Sequence, residues 1–301
     1  AFLAQAGACL SRLPHGSAGH DRVEMAGAFD IISRRNPIVK ELFRLRVGGR
    51  RARSKRGLTL VRGRQLIETI GEHFRFKQVF THEDHGSWAG YNAERIQRVE
   101  KDVLKHVMFG PYREEYAQRL DPDHYVVGTV EQPEPAAEFS PDARWFLAVD
   151  GVKQPENMGL LLSTAVALKF DGLLFSADCI DPFNYKVLEA SQAVAWTMPF
   201  RYMTPGELLA FCKQQQLTPC AADADGTPVS ALPMPPEGNR GFCLAVGNES
   251  RGVRPELLSS CTRVALPMAQ LSESLNAGVA GGVLMHALAC AWGRGRGGGD
   301  L

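Results

Sequence analysis

Three features of this chain predict an α/β protein of two domains. From residue 145 onward, short apolar runs alternate with helix-like runs, the order a mostly parallel sheet requires. The stretch PEPAAEFSPDA (133–143), rich in Pro and Ala and poor in large apolar residues, reads as a linker between that half and an N-terminal half. Two late apolar runs, 242–246 and 264–268, end in Gly247-Asn248-Glu249 and Pro267-Met268, placing backbone amides and a carboxylate at the strand ends where open α/β sheets take ligands. The expected boundaries are a flexible segment at 1–28, a first domain at 29–132, the linker, a second domain at 144–293 and a flexible tail at 294–301.

At 301 residues, 45% apolar and 22% charged, the chain is long enough for two hydrophobic cores. Its net charge of +1 conceals an asymmetry, since residues 31–64 hold twelve Lys or Arg and one acid, Glu41. Such a block points to a polyanionic partner. Seven cysteines with no CxxC pair favour buried thiols in a reducing compartment over a disulfide framework or a zinc site. No apolar run reaches the length of a membrane span. The first 22 residues are Ala-rich with Arg12, Arg22 and one acid, Asp21, either the remnant of an organellar (mitochondrial) transit sequence or a flexible tail.

In order along the chain, Ser33 is the expected cap of a helix whose first turn holds Asn36-Pro37 and whose Ile38, Leu42 and Leu45 share a face. GGRRARSKRG (48–57) carries too much charge and glycine for a core and reads as a loop. LTLVRG then reads as a strand, RQLIETIGEHF as an amphipathic helix, KQVFTHE as a strand, AERIQRVEKDVLKHVM as one helix and HYVVGTVEQP as the last strand of the first domain. His82, His85, His106 and His124 lack metal-ligand spacing. In the second half, WFLAVDGV and GLLFSA read as strands, and MGLLLSTAVAL, NYKVLEASQAVA and GELLAFCKQQQ as helices. A short strand near LTPCAAD and a proline loop at 228–236 follow, and Ser274-Leu275-Asn276 opens a buried helix of small and apolar residues.

The segments LAVGNESRGV and VALPMAQLSESLNAGVAGGVLMHAL, with FLAVDGVKQPENMGLLLSTA upstream, resemble the three motifs of the SpoU-type RNA 2′-O-ribose methyltransferases of the SPOUT superfamily. ISRRNPIVKELFRLR and LTLVRGRQLIETI are similar to the opening of the small, ribosomal-protein-like α/β domain that recognises RNA in many of these enzymes. The resemblance covers roughly residues 29–293. It implies a C-terminal SPOUT domain with a deep trefoil knot, S-adenosylmethionine as cofactor, ribosomal RNA or a large-subunit precursor as partner, and a homodimer or heterodimer through the knot.

By the same resemblance, Gly247, Leu266, Met268 and Leu275 are the expected cofactor-binding residues, and Asn157, Glu249 and Asn276 the polar residues of catalysis. Glu249 is open to three readings, an anchor for loop amides, a proton acceptor or a cap of its own turn. The family pattern NxGxxxRTA carries an Arg held to activate the 2′-hydroxyl; here NMGLLLSTA places Ser163 there, without charge or a fork of donors. Gly278 likewise stands where the family has a hydroxyl, and Glu189 where it more often has a basic or neutral residue. Three explanations compete: a catalytically silent RNA-binding assembly factor, an Arg supplied by a partner subunit, or local substitution by Arg251, Arg254 or Lys153. For RNA the expected contacts are Arg34, Arg35, Lys40, Arg50, Arg51, Arg53, Lys55 and Arg56, unless these form only a solvated face.

Overall fold

The computed structural model describes residues 29–83, 88, 90–110, 125–235, 237–268 and 275–292. The expected flexible segment at 1–28 and tail at 294–301 lie outside these residues, as do His85, His124 and Ser274. The chain divides into two compact units, one holding the described residues up to Pro133 together with Phe183–Glu189, the other Glu134–Pro182 and the described residues from Ala190 onward.

The first unit opens with helix α1 (Pro37–Val47), capped by Asn36, whose Oδ1 accepts the Ile38 amide at 2.9 Å. The expected cap, Ser33, instead accepts the Arg35 amide one turn earlier. The run 48–57, expected as a loop, holds a second helix, α2 (Gly49–Arg56), closed by Gly57 at φ +63. Arg, Ala and Lys are all good helix formers, and the helix is pinned by its own arginines. Arg53, 1% exposed, donates to the Leu45 carbonyl at 3.0 Å, satisfying a free acceptor at the end of α1. Arg56 bonds the Ala52 carbonyl at 3.1 Å and pairs with Glu41. Arg53→Ala is accordingly expected to cost about 2 kcal/mol of stability in urea unfolding, the scale of a buried hydrogen bond to a charged group.

Strand β1 (Leu58–Arg62), helix α3 (Arg64–Gly71) and strand β2 (Gln78–Thr81) follow as expected. The stretch expected as one helix at 93–108 is divided: β3 (Ile96–Arg98) pairs parallel with β2, and only Lys101–Phe109 is helical (α4). Ile96, Val99 and Val103 suit a helical period, but the edge of β2 offers backbone partners that outweigh it. β4 (Val126–Glu131) completes a sheet of order β1-β4-β2-β3, antiparallel except for β2–β3. The core on one face joins Val39, Leu42 and Leu45 of α1 to Val103, Leu104 and Val107 of α4 over Leu60, Phe80 and Val127. Glu189 belongs to this unit, accepting Arg62 Nη2 at 2.7 Å.

The second unit is a six-stranded sheet in which every pairing is parallel: β5 (Trp145–Asp150), β6 (Gly172–Phe175), β7 (Phe200–Tyr202), β8 (Leu217–Pro228), β9 (Gly241–Gly247) and β10 (Thr262–Ala265), in the order β10-β8-β9-β5-β6-β7. The helices along this stretch of chain include α5 (Pro155–Ala167), α6 (Tyr185–Ser191), α7 (Pro205–Gln214), α8 (Pro255–Leu258) and α9 (Ala277–Trp292). From β5 the chain builds outward through β6 and β7, then returns to the other side of β5, so the strand order reverses between β5 and β9. Crevices at such reversals open at the carboxyl ends of the strands. β8 is longer than the short strand expected near 217–223. Its ladder with β10 jumps from Arg263↔Ala221 to Val264↔Thr227, leaving residues 222–226 out of the pairing.

Helix α9 packs on α5 through glycines: a Cβ on Gly281 would lie 2.3 Å from Leu161 Cδ2, and one on Gly278 would lie 3.0 Å from Leu160 Cβ. Gly278 thus has a packing role of its own. The path between β10 and α9, on which the expected knot depends, crosses residues 269–274, outside the described ones. Among the described residues, no helix is long and apolar enough to cross a membrane, and no His, Cys, Asp or Glu cluster could hold a metal ion.

Candidate functional site

The carboxyl ends of β5 and β9 lie side by side, Asp150 opposite Gly247, and the loops leaving them are sewn together by side chains. Asn248 donates through Nδ2 to the Gly151 carbonyl at 2.9 Å, while its Oδ1 accepts the Ser250 and Arg251 amides. Glu249 accepts four donors: the amides of Lys153 (3.3 Å) and Gln154 (3.0 Å), Asn157 Nδ2 (2.9 Å) and Asn248 Nδ2 (3.2 Å). Asn157, 2% exposed, in turn accepts Asn276 Nδ2 at 2.7 Å. Asn276 caps α9 by accepting the Gly278 and Val279 amides through Oδ1. Three of the four expected catalytic residues therefore form one chain, Glu249–Asn157–Asn276, tying three segments distant in sequence.

The fourth, Ser163, does not join that chain. Its hydroxyl donates to the Leu160 carbonyl of its own helix at 3.1 Å. Of the cations expected to substitute for an Arg there, Arg254 is held by Asp150 and Asp178, and Lys153 by Asp178. Arg251 is exposed and makes no ion pair among the described residues.

Of the three readings of Glu249, the geometry supports the anchor of loop amides, reaching beyond its own turn to Lys153 and Gln154. Burial works to raise its carboxyl pKa, but the hydrogen bonds from Asn157 and from the loop amides outweigh it, and the pKa lies below the usual carboxylate value. A carboxylate so stabilised is a weak proton acceptor and a firm tether. Because the folded-state value is depressed, its contribution to stability is complete above the unfolded pKa and lost as pH falls through the folded one. The stability gap between wild type and Glu249→Gln is thus expected to be constant from neutral pH down to about pH 5 and to close below about pH 4, as thermal unfolding across that range would record.

Beside this chain lies a cavity of about 250 Å³ at the ends of β8, β9 and β10. Gly247, Leu266, Met268 and Leu275, the four expected cofactor residues, all line it. Gly247 is required by its neighbours, since a Cβ there would sit 2.1 Å from the Gly252 carbonyl carbon and the Val253 nitrogen. Val246, Val264 and Leu284 add apolar wall, and Asn248 and Glu249 a polar rim. Sequence reasoning missed Asp223, which also lines the cavity; it lies within β8, just past Ala221 where the pairing of β8 with β9 ends, and no pattern in CAADADG marks that departure.

Among the expected RNA contacts, Arg34, Arg35, Lys40, Arg51 and Lys55 are exposed and Arg50 half-buried. Arg53 is buried and Arg56 is half-buried against Glu41, so the structure corrects both from phosphate ligands to braces of α2. Arg44, not among the expected contacts, is exposed on α1.

A parallel α/β domain with a cavity at the carboxyl ends of its strands and a Gly-Asn-Glu loop on the rim is a small-molecule-binding domain of the nucleotide-cofactor kind. Residues 144–286 match the SpoU rRNA Methylase family, and the chain carries a domain of that family. It is 28% identical over 268 residues to a Synechocystis protein described as an uncharacterized tRNA/rRNA methyltransferase, covering 85% of this chain and 92% of that one. A 23S rRNA (uridine(2479)-2′-O)-methyltransferase of Streptomyces viridochromogenes is 24% identical, over 80% of this chain and 85% of the relative. Among solved structures, the SpoU methyltransferase AviRb from Streptomyces viridochromogenes, in complex with AdoMet, shares the fold with a TM-score of 0.70 at 21% identity, covering 85% of this chain and 98% of its own.

Proposed function

We propose that this protein is an S-adenosylmethionine-dependent RNA 2′-O-ribose methyltransferase acting on ribosomal RNA, in large-subunit maturation. The observation that carries the reading is the union of Gly247, Leu266, Met268 and Leu275 around one cavity, beside the Glu249–Asn157–Asn276 chain. The cavity's apolar walls fit an adenine ring, and the residues named would hold the adenosyl group between β9 and α9. S-adenosylmethionine, when bound, supplies the methyl group as an electrophile.

The protein's part is to place a ribose hydroxyl in line with that methyl group, which makes the reaction effectively unimolecular. Glu249, held ionised, fixes the amide of Asn157, and Asn157 fixes that of Asn276, so both amides are oriented before substrate arrives. The Streptomyces relative named as a 23S rRNA 2′-O-methyltransferase supports the substrate class. Leu160 on α5 and Val279 and Val283 on α9 are exposed apolar residues, which supports a dimer through these helices.

The exposed cations of α1 and α2 fit phosphate neutralisation. Replacing Lys40, Arg51 and Lys55 by Ala is expected to flatten the plot of log affinity against log salt by about 2 to 3, some 0.7 to 0.9 per lost phosphate contact, as measured by filter binding to ribosomal RNA.

Ser163 favours a second reading, an RNA-binding assembly factor that transfers no methyl group alone. The deciding experiment is transfer of labelled methyl from S-adenosylmethionine to ribosomal RNA. Label in 2′-O-methyl nucleotides is the expected result; no label from a protein that binds both cofactor and RNA, with activity restored by Ser163→Arg, selects the second reading.

A further inference from the structure

We infer that Asp223 is the side chain that reads the ribose of the adenosyl ligand, accepting hydrogen bonds from its vicinal hydroxyls. The inference rests on the cofactor reading above and adds a residue to it. Residues 222–226 leave the β8–β10 ladder, and Ala222, Asp223 and Ala224 form part of the cavity wall. Gly226 allows this, because a Cβ there would lie 2.7 Å from the Arg263 carbonyl carbon. Bulges of this kind re-aim a side chain next to a site.

Accounting for hydrogen-bond capacity then singles out Asp223. Besides Asp223, two side chains of the cavity wall carry nitrogen or oxygen atoms among the described residues, Asn248 and Glu249. Glu249 has two donors on each oxygen, and Asn248 spends both its amide hydrogens and both lone pairs within the loops. Asp223 accepts the Asp225 amide on Oδ1 at 3.2 Å and Arg263 on Oδ2, so about half of a carboxylate's roughly four acceptor positions are taken among the described residues. Its side chain is 15% exposed, and the Arg263 pair fixes its orientation.

An acceptor-only group with two oxygens matches two adjacent hydroxyls better than it matches an adenine edge, which presents a donor beside an acceptor. A carboxylate at a strand end is a general device for binding a ribose diol. Because Arg263 offsets its charge, Asp223 acts here through hydrogen bonding more than through attraction for a sulfonium.

The test is calorimetric titration of the full chain with S-adenosylmethionine, S-adenosylhomocysteine, and the 2′-deoxy and 3′-deoxy analogues of the latter. Wild type is expected to lose about tenfold in affinity for a missing hydroxyl, the scale of one hydrogen bond to a charged acceptor. In Asp223→Ala the ribo and deoxy ligands are expected to bind within about twofold of one another, with the preference for S-adenosylmethionine over S-adenosylhomocysteine unchanged. A ribo preference that survives the substitution overturns the inference, as does a variant that loses only S-adenosylmethionine. Failure of wild type to bind S-adenosylhomocysteine overturns the cofactor reading itself. Should Asp223→Ala fold poorly, Asp223→Asn keeps shape and one acceptor oxygen, and is expected to narrow the ribo preference.

Discussion

Gly247→Ala is expected to abolish ligand binding in the cavity and to lower the thermal unfolding midpoint by roughly 6–12 °C. The added Cβ would meet backbone atoms of Gly252 and Val253 at 2.1 Å, and backbone cannot step aside as the end of a flexible side chain can. Overpacking costs about 1–3 kcal/mol where neighbours relax; the upper end applies here, and each kcal/mol is about 2–4 °C in a domain of this size. The loop from Gly247 to Gly252 is closed by reciprocal backbone bonds between Asn248 and Gly252. Forcing it open displaces Glu249, and with it the amides of Lys153 and Gln154 and the side chain of Asn157. Calorimetric titration with S-adenosylhomocysteine, run beside thermal unfolding, reads both effects. Gly206, in α7, supplies the control: a Cβ there meets nothing within 4 Å, so Gly206→Ala should leave ligand binding unchanged and should not lower the midpoint, Ala being the better helix former.

The same contrast explains which parts of the molecule are legible in its sequence. β5, β6 and β9 are buried on both faces, and short, wholly apolar runs such as FLAV, GLLF and FCLAV, bounded by turn residues, are what strands inside a parallel sheet look like. The cofactor cluster is legible for a related reason: Gly247 and Glu249 follow directly on such a strand, so local pattern and site coincide. Where tertiary contacts decide, the pattern misleads. α2 looks like a solvated loop because its arginines are read as charges, whereas Arg53 is a buried hydrogen-bond donor for α1. β3 carries a helical period and becomes a strand because β2 needs a partner. Asp223 escapes notice because its strand leaves the ladder for five residues and rejoins it, an excursion that no periodicity encodes.

Asn157→Asp is the sharpest test of the polar chain, since it changes one atom and almost no volume. In the native protein Asn157 Nδ2 donates to Glu249 Oε1 at 2.9 Å. The substitution replaces that donor by an oxygen, placing two carboxyl groups within hydrogen-bonding distance at a residue 2% exposed. Two like charges so close cannot both ionise cheaply, and the pair retains a proton to higher pH than either group alone. The folded protein then binds more protons than the unfolded chain, so stability falls as pH rises above the ordinary carboxylate range. At pH 7–8 the deficit is expected to be about 3 kcal/mol, the lower end of the cost of an uncompensated buried charge. The wild type behaves in the opposite sense, because the depressed Glu249 contributes fully at neutral pH and fails only in acid. The two stability curves should therefore converge as pH falls through about 5 to 4 and diverge above it. Asn157→Ala separates the causes, losing the hydrogen bonds at every pH without introducing a new titration. An Asn157→Asp variant whose deficit is flat with pH would mean that the carboxylates do not face one another and that the Glu249–Asn157 link is absent in solution.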